Sequence, residues 1–440
     1  MKKQLVIITL FSSLLLQAQT GESIKKWSLK DCIDYAISNN ITIKTAELTK
    51  NTAENNYTLS KSKWLPRING SVSQNLANGS SIDPVTSTFV TSQISSTNGA
   101  ISASMPLYQG NQIRNQIDQS ELLIKQNSFF VEAAKNNIEL SVLEAYIQTL
   151  YAKEGIRVAE NTLNASVKEV ERAASNYDAG SIALGDYTDA QSQAATQKYN
   201  LINAKNVYQQ QLLVLKQLLE LSPLDSLEVE EITDDDITVD LVPNKIEVYQ
   251  NAINMLPELN ASLLQVDINK KDLDIAKGSY LPSLSLSGSL GTGYSNTMDY
   301  NFTDQLDLNF NQKIGLTLSI PIFNRNETKV KVQNAKISIE KSELAYNTSK
   351  KELYAKIETA WQNTASSQEQ LLAAEAARTA AEQSYKLAQK KHELNALSTT
   401  DLVIAQNNYT SAAQNYIQAK YLHILYNQLL QFYQGNDIKL

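Results

Sequence analysis

Four stretches of the chain alternate between apolar and small polar residues, the pattern of a β-strand with two different faces. We predict strands at 67–76, 100–105, 283–290 and 312–320. The third strand alternates leucine with serine, and the fourth alternates isoleucine or leucine with lysine, glycine, threonine and serine. One face of each strand is therefore apolar, and the opposite face is mostly small and polar.

Helical periodicity dominates the rest of the chain. We predict two long helices, at 109–177 and 324–392, each followed by a shorter helix, at 186–221 and 401–433. A helix of roughly 70 residues is about 105 Å long. In the first long helix, apolar and small residues recur at alternating spacings of four and three, which is a coiled-coil seam. The seam consists of Ile138, Val142, Ala145, Thr149, Ala152, Ile156, Ala159 and Leu163.

These elements occur twice in the same order. Leu65-Pro66 and Leu281-Pro282 precede the outgoing strands at positions 216 apart, and Asp186 recurs as Asp401, 215 positions later. A near-constant offset between several landmarks indicates duplication of one large unit.

Each copy opens with a helix, which in the first copy we predict over 28–63 as one uninterrupted element. We assign the first copy to 19–221 and the second to 246–440. The joining segment, 222–245, is strongly acidic, and we predict a solvated linker with short strands there.

The start of the chain has the pattern of an export signal. A basic start, a short apolar run and a small-residue cleavage site predict a signal peptide over 1–18. The apolar run is too short to be a transmembrane helix. The formal net charge is −7, and loss of Lys2 and Lys3 with the signal peptide makes it −9. This charge disfavours nucleic acid as a partner, and an acidic pore would favour cations.

Little in the sequence suggests catalysis. The chain has two histidines and one cysteine, and we find no phosphate-binding loop, nucleophile elbow or metal-ligand spacing. We therefore predict that the protein is not an enzyme and has no cofactor or metal site. We interpret Cys32 as a single buried thiol.

The apolar strand face needs a partner, which is either a soluble core or membrane lipid. The small polar residues opposite it, and the lack of a further layer to cover it, favour lipid. Four strands cannot close a barrel, and open edges are not tolerated in lipid, whereas three chains would supply twelve strands. We therefore predict a mainly α protein with a transmembrane β part. In a homotrimer, the long coiled-coil helices would form an α-helical barrel beneath a shared 12-stranded β-barrel.

This plan resembles the TolC-type outer-membrane efflux proteins (the outer membrane factor family). The resemblance covers nearly all of the mature chain and rests on the duplicated order of elements and the two Leu-Pro dipeptides. It also rests on Pro106 to Gly110 and Pro321 to Asn324 after the returning strands. It implies a passive channel-tunnel of a tripartite efflux or type I secretion system, in the outer membrane, with its helical part in the periplasm. The implied partners are two more copies, a periplasmic adaptor protein, an inner-membrane transporter and outer-membrane lipid.

The resemblance also implies a periplasmic constriction near the second helix turn. Asp401 matches the first aspartate of the family's ring, whereas Ile404 occupies the second ring position. Leu397 occupies the position of the gate-holding arginine, and His392 that of the gate tyrosine. The gate chemistry is thus expected to be only partly retained. The alternatives are a helix cap for Asp401 and a solvated helix residue for His392.

Two further groups are candidates for contacts. The residues expected to face the adaptor at the helix turns are Tyr177, Gly180, Asp186 and Asn395. The aromatic residues beside the strands are Trp64, Tyr108 and Phe323. The aromatic residues fit either an interfacial belt or packing at the helix–strand junctions.

A different class of function fits the helices equally well. A periplasmic coiled-coil scaffold or adaptor protein without a pore would also contain long amphipathic helices. Such a protein would not need small polar residues along one face of every strand, and this difference favours the channel.

Overall fold

The computed structural model describes residues 26–82, 87–232, 241–394 and 396–438. The predicted signal peptide, Asn395 and residues 233–240 of the joining segment lie outside the described residues. The helices are α1 (Leu29–Asn39), α2 (Ile41–Ser62), α3 (Gln112–Asp178), α4 (Leu184–Leu218), α5 (Lys245–Met255), α6 (Pro257–Gly278), α7 (Phe302–Leu308), α8 (Glu327–Glu393) and α9 (Thr399–Gln434). The strands are β1 (Lys26–Trp27), β2 (Arg67–Ile82), β3 (Phe89–Gln109), β4 (Glu228–Val229), β5 (Ser283–Ser295) and β6 (Asn311–Ser319).

The two long helices, α3 and α8, have 67 residues each, and their ends lie within a few residues of the predicted ones. Along α3 the predicted seam is buried from Ile138, which is 8% exposed, to Ala152, which is 5% exposed. Beyond that point its members are half-buried. The alternating spacing of four and three therefore identified the packed face of the helix.

The first predicted helix, 28–63, is two helices that meet at Asn40. The backbone of Asn40 is extended, with φ −61° and ψ 133°. Its side-chain oxygen accepts a hydrogen bond from the Thr42 amide at 2.8 Å, and its amide group donates to the Leu218 carbonyl at 3.0 Å. Asparagine favours this capping role because its side chain competes for backbone hydrogen bonds.

Four strands form one antiparallel sheet in the order β2-β3-β5-β6. The predicted bounds were too short for β2, β3 and β5, whereas β6 lies within one residue of its predicted ends. Most of the described residues between the first two predicted strands, 77–82 and 87–99, are also strand. The β2–β3 pairing continues as far as Ile82 opposite Phe89. In this extension of β2 and β3 the residues on both faces are mainly polar. The backbone hydrogen bonds between the strands therefore continue where no hydrophobic alternation predicts a strand.

The register collects apolar side chains on one face of the sheet. Met105 pairs with Leu286, which pairs with Leu316 in the next strand. On the opposite face, Ser104 pairs with Ser287. Successive strand residues point to opposite faces, so the alternation seen within each strand becomes a two-faced sheet. In the single chain the apolar face is open, and Ile314 is 84% exposed.

The described chain forms two compact units, and each takes segments from both sequence copies. Of the described residues, the first unit comprises 26–45, 132–232, 241–256, 351–394 and 396–438, and the second comprises 46–82, 87–131 and 257–350. Segments of both sequence copies therefore contribute to each unit.

The joining segment helps to close the core of the first unit. β4 pairs in parallel with β1, and Leu227 and Val229 are 6% and 0% exposed. The Tyr146 hydroxyl lies 3.1 Å from the carbonyl oxygen of Trp27 and 3.0 Å from that of Glu230. Burial raises the pKa of the Tyr146 phenol. The described part of the acidic segment thus contains a short strand, as predicted. Leu227 and Val229 are packed, whereas Leu224 and Leu241 are 94% and 98% exposed.

Two glycines in the second unit touch where the chain leaves the sheet and enters α3. A Cβ on Gly278 would lie 2.5 Å from the carbonyl oxygen of Gly110, which itself has φ +57°. We expect Gly278→Ala to destabilise the protein by about 1–3 kcal/mol, because backbone atoms cannot move aside as a flexible side chain can.

The matched control is Gly155→Ala in the interior of α3, where an added Cβ meets nothing within 4 Å. Alanine favours helix over glycine by about 1 kcal/mol, so this variant should melt at or above the wild-type temperature. Thermal melting followed by circular dichroism in detergent measures both variants. Equal melting temperatures for Gly278→Ala and wild type would contradict the close approach.

Candidate functional site

A polar cluster lies at the second helix turn, where α8 ends. His392 is 7% exposed. Its Nδ1 lies 2.7 Å from the Leu397 carbonyl oxygen, and its Nε2 lies 2.9 Å from Oε1 of Glu169 on α3. Both partners are acceptors, so the ring makes both hydrogen bonds only when both nitrogens carry protons. The imidazole thus connects α3, the end of α8 and the turn that follows.

Arg172 completes this cluster. Its guanidinium binds both oxygens of Glu169, with Nη2–Oε1 at 2.7 Å and Nε–Oε2 at 3.1 Å. A third nitrogen, Nη1, donates to the backbone carbonyl of His392 at 3.3 Å. A forked guanidinium–carboxylate pair holds a defined geometry, so Glu169 is fixed in position to accept from the histidine. We call Glu169, Arg172, His392 and Leu397 the turn cluster.

Sequence reasoning named His392 and Leu397 but missed Glu169 and Arg172. These two stand three residues apart on one helix, a spacing that is common among surface ion pairs. The sequence alone gave no sign that this pair would meet the histidine of a distant helix. The guanidinium of this cluster thus comes from Arg172 of α3, while Leu397 contributes only its carbonyl.

Asp401 and Ile404 lie outside the turn cluster. The Asp401 amide donates to Oγ of Ser398 at 3.1 Å, and that hydroxyl donates back to Oδ2 of Asp401 at 2.8 Å. Asp401 thus takes part in the N-terminal cap of α9, as the alternative interpretation expected. Its side chain is also exposed, and Ile404 is 52% exposed.

A cleft of about 470 Å³ adjoins the turn cluster in the first unit. Gln406 of α9 is 6% exposed and donates to Oγ of Ser166 at 3.0 Å and to the Thr162 carbonyl at 3.3 Å. Its counterpart in the first copy, Gln191, is exposed. Burial raises the pKa of the Tyr385 phenol on the cleft wall. The second copy thus forms polar contacts with α3 here that the first copy does not repeat.

The first helix turn joins α3 to α4. Tyr177 stacks on Tyr187, with ring centroids 5.8 Å apart. Gly180 has φ +70° and open space around it, and Asp186 is exposed in the first turn of α4. The fourth proposed tip residue, Asn395, is not among the described residues.

The three aromatic residues lie at the helix–strand junctions of the second unit. Trp64 and Tyr108 are each 38% exposed, and Phe323 is 80% exposed. Phe323 stands between the end of β6 and the start of α8. All three are therefore exposed in the single chain.

None of the described helices is both long enough and apolar enough to cross a membrane. Within the same described residues, no group of three or more histidine, cysteine, aspartate or glutamate side chains could hold a metal ion.

Comparison with known proteins also indicates a duplicated chain. The family model described as outer membrane efflux protein matches residues 32–220 and 248–434, one segment in each sequence copy. The chain belongs to the outer membrane efflux protein family. The resemblance to TolC-type proteins is thereby confirmed.

Curated relatives of this family are distant in sequence. The chain is 24% identical to the outer membrane protein TolC of Vibrio cholerae over 308 residues, which is 68% of this chain and 66% of that protein. It is 23% identical to the alkaline protease secretion protein AprF of Pseudomonas aeruginosa, over 67% of this chain and 60% of AprF. The alignments thus span between 60% and 66% of the length of these curated relatives.

Solved structures extend the similarity to nearly the whole chain. The CmeC outer membrane channel of Campylobacter jejuni aligns with a TM-score of 0.78 at 19% identity, covering 94% of this chain and 87% of that one. VceC of Vibrio cholerae aligns with a TM-score of 0.76 at 16% identity, covering 93% and 97%. At these identities the likeness establishes the fold, and confirms a mainly helical member of the family with a β part.

The turn cluster yields a direct test. Glu169→Gln removes the charge that binds Arg172 and weakens the acceptor for His392, so the second turn should open more often. Hydrogen bonds to charged groups contribute about 1.5–3 kcal/mol, so amides near residues 392–402 should exchange roughly tenfold or more faster.

Glu171→Gln is the matched control, because Glu171 lies on the same helix but is exposed and outside the cluster. Hydrogen exchange followed by mass spectrometry measures both variants. The same exchange rate in Glu169→Gln as in wild type would show that the cluster does not hold the turn.

Proposed function

We propose that the protein is the outer-membrane exit duct of a tripartite efflux or type I secretion system. Three copies would pool their four-stranded sheets into one twelve-stranded barrel in the outer membrane, and their helices would continue as a tunnel in the periplasm. The observation that carries this proposal is the register of the sheet, which gathers apolar residues on one face and small polar residues on the other. An apolar outer face and a polar lumen are what a transmembrane barrel requires.

The sheet edges support closure between chains. Neighbouring strands in the order β2-β3-β5-β6 are antiparallel throughout, so the first and last strands run in opposite directions. β6 of one copy can therefore pair with β2 of the next without breaking the antiparallel alternation. The unpaired backbone N–H and C=O groups of each edge strand would then form hydrogen bonds with the neighbouring copy.

The helices also present surfaces that need partners. Val330, Ile337 and Leu344 follow one another at intervals of seven along α8 and are 49%, 48% and 67% exposed in the single chain. Apolar residues at this interval are typical of a coiled-coil seam. Helices of neighbouring copies would bury them in the tunnel wall.

The periplasmic end would close at the second helix turn. Asp401 would form a ring of three carboxylates around the axis, with Ile404 one turn further along α9. The turn cluster would restrain this end, since Arg172 and Glu169 hold His392 and, through it, the carbonyl of Leu397. Opening would then require the contacts between α3 and the end of α8 to break.

The partners follow from the same arrangement. A periplasmic adaptor protein would contact the two turns at Tyr177, Gly180, Asp186 and Asn395, and an inner-membrane transporter would supply the energy. Trp64, Tyr108 and Phe323 would meet the lipid interface, because amphipathic rings favour the headgroup level. The relative AprF is described as a secretion protein, which is compatible with a passive duct. The proposed duct carries out no chemical step and needs no nucleic acid.

Membrane extraction separates this function from a soluble scaffold. An integral barrel should remain with the membranes in carbonate and high salt and should be released only by detergent. Purified protein should then give stable single-channel openings in planar bilayers. Release without detergent would favour a periplasmic scaffold or adaptor protein without a pore.

Asp401→Asn tests the constriction. Removing the carboxylates should weaken block by multivalent cations added on the helical side by roughly tenfold, since three charges around one axis act together. Asp186→Asn, at the equivalent position of the first copy, is the control and should leave the block unchanged. If Asp401→Asn also left it unchanged, Asp401 would serve only to cap α9.

A further inference from the structure

The polar face of the sheet carries charges of one sign. Arg67 and Lys313 are at positions that alternate with the apolar residues of β2 and β6. Arg67 pairs with Ser104, and Lys313 pairs with Ser289. Both basic side chains therefore lie on the serine-rich face, at neighbouring levels of the sheet.

Within the described residues of the four strands, no carboxylate balances them on this face. Among the described strand residues that share it, Arg67 and Lys313 are the only charged side chains, and the others are mostly serine, asparagine, threonine and glycine. Neither basic group makes a hydrogen bond or ion pair with another described residue, and both are exposed. The acidic residues of the β5–β6 connection, Asp299, Asp304 and Asp307, lie beyond the strand ends.

We propose that Arg67 and Lys313 form a cationic collar inside the barrel that binds anionic groups and favours passage of anionic solutes. This inference rests on the proposed function, because the polar face becomes a lumen only when the barrel closes. It departs from the expectation that the acidic chain would make an acidic pore, at least in the part formed by the strands.

The dimensions of such a barrel let the collar act across the whole lumen. Twelve strands spaced about 4.8 Å apart and tilted by about 40° give a backbone radius of roughly 12 Å. A lysine side chain reaches roughly 6 Å from its Cα, so each ammonium group would lie about halfway to the axis. The Debye length at physiological salt is about 8 Å, so the fields of the three lysines would overlap there.

The positions of Arg67 and Lys313 concentrate the positive electrostatic field at the junctions between copies. Arg67 lies on β2 and Lys313 on β6, which are the two edge strands, whereas β3 and β5 carry no charge on this face. When β6 of one copy pairs with β2 of the next, both cations fall beside each junction. Like charges near one another repel, and an anion bound between them relieves that repulsion. Phosphate, sulfate or carboxylate groups have the chemistry to bind there.

The test uses the full-length protein in planar bilayers, with inorganic triphosphate added on the barrel side as the probe. The concentration for half-block of the current and the reversal potential in a potassium chloride gradient are measured for each variant. Lys313→Gln removes the charge, and Lys313→Arg retains it. Lys30→Gln, at an exposed position on α1, is the control with the same change in net charge outside the strands.

We expect Lys313→Gln to weaken triphosphate block by roughly tenfold and to shift the reversal potential toward cation preference, because three charges are lost at one level. Lys313→Arg and Lys30→Gln should match wild type. Channels of normal conductance whose block is the same in Lys313→Gln as in wild type would overturn the collar while leaving the duct intact. If wild-type protein formed no channels, the proposed function itself would fail, and the collar with it.

Discussion

The proposed duct depends on one constraint, which is that backbone hydrogen-bonding groups cannot remain unpaired in lipid. The sheet has two open edges, β2 and β6, and each unpaired group buried in hydrocarbon costs several kcal/mol. One chain cannot close four strands on themselves, so its apolar sheet face and its open edges are compatible with a membrane only in an assembly. Val330, Ile337 and Leu344 of α8 are likewise exposed in the single chain. In the proposed duct, the strands and the helices therefore both require neighbouring copies.

The duplication gives two similar sets of helices and strands. The residues that we propose to be functional lie where the two copies differ. The second turn has the turn cluster, in which Arg172 and Glu169 hold His392, whereas the first turn has a stacked tyrosine pair. Gln406 is buried against α3, whereas its counterpart Gln191 is exposed. The second copy is thus tied to α3 through polar contacts that can break and reform, and we propose that this copy moves when the periplasmic end opens. In the proposed barrel, the charges of Arg67 and Lys313 have the opposite sign to that of Asp401.

Much of this could be predicted from the sequence, for identifiable physical reasons. The alternation of serine and leucine in β5 and the seam from Ile138 to Ala152 are local patterns with a fixed period, so they identified elements and faces. The sequence did not predict the parts of β2 and β3 between residues 77 and 99. Backbone hydrogen bonds hold these parts together without an apolar face, so they leave no hydrophobic alternation in the sequence. The meeting of Glu169 with His392 was missed because it depends on a contact between residues distant in the sequence. The break at Asn40, which was also missed, combines a local hydrogen bond to the Thr42 amide with a distant one to the Leu218 carbonyl.

The most direct test of the account is the number of copies in the detergent-solubilised protein. Native mass spectrometry of the intact complex measures this number without assuming a shape. The account predicts three copies, because three sheets of four strands close one twelve-stranded barrel. A folded single copy with its sheet intact, or a complex of another stoichiometry, would contradict it.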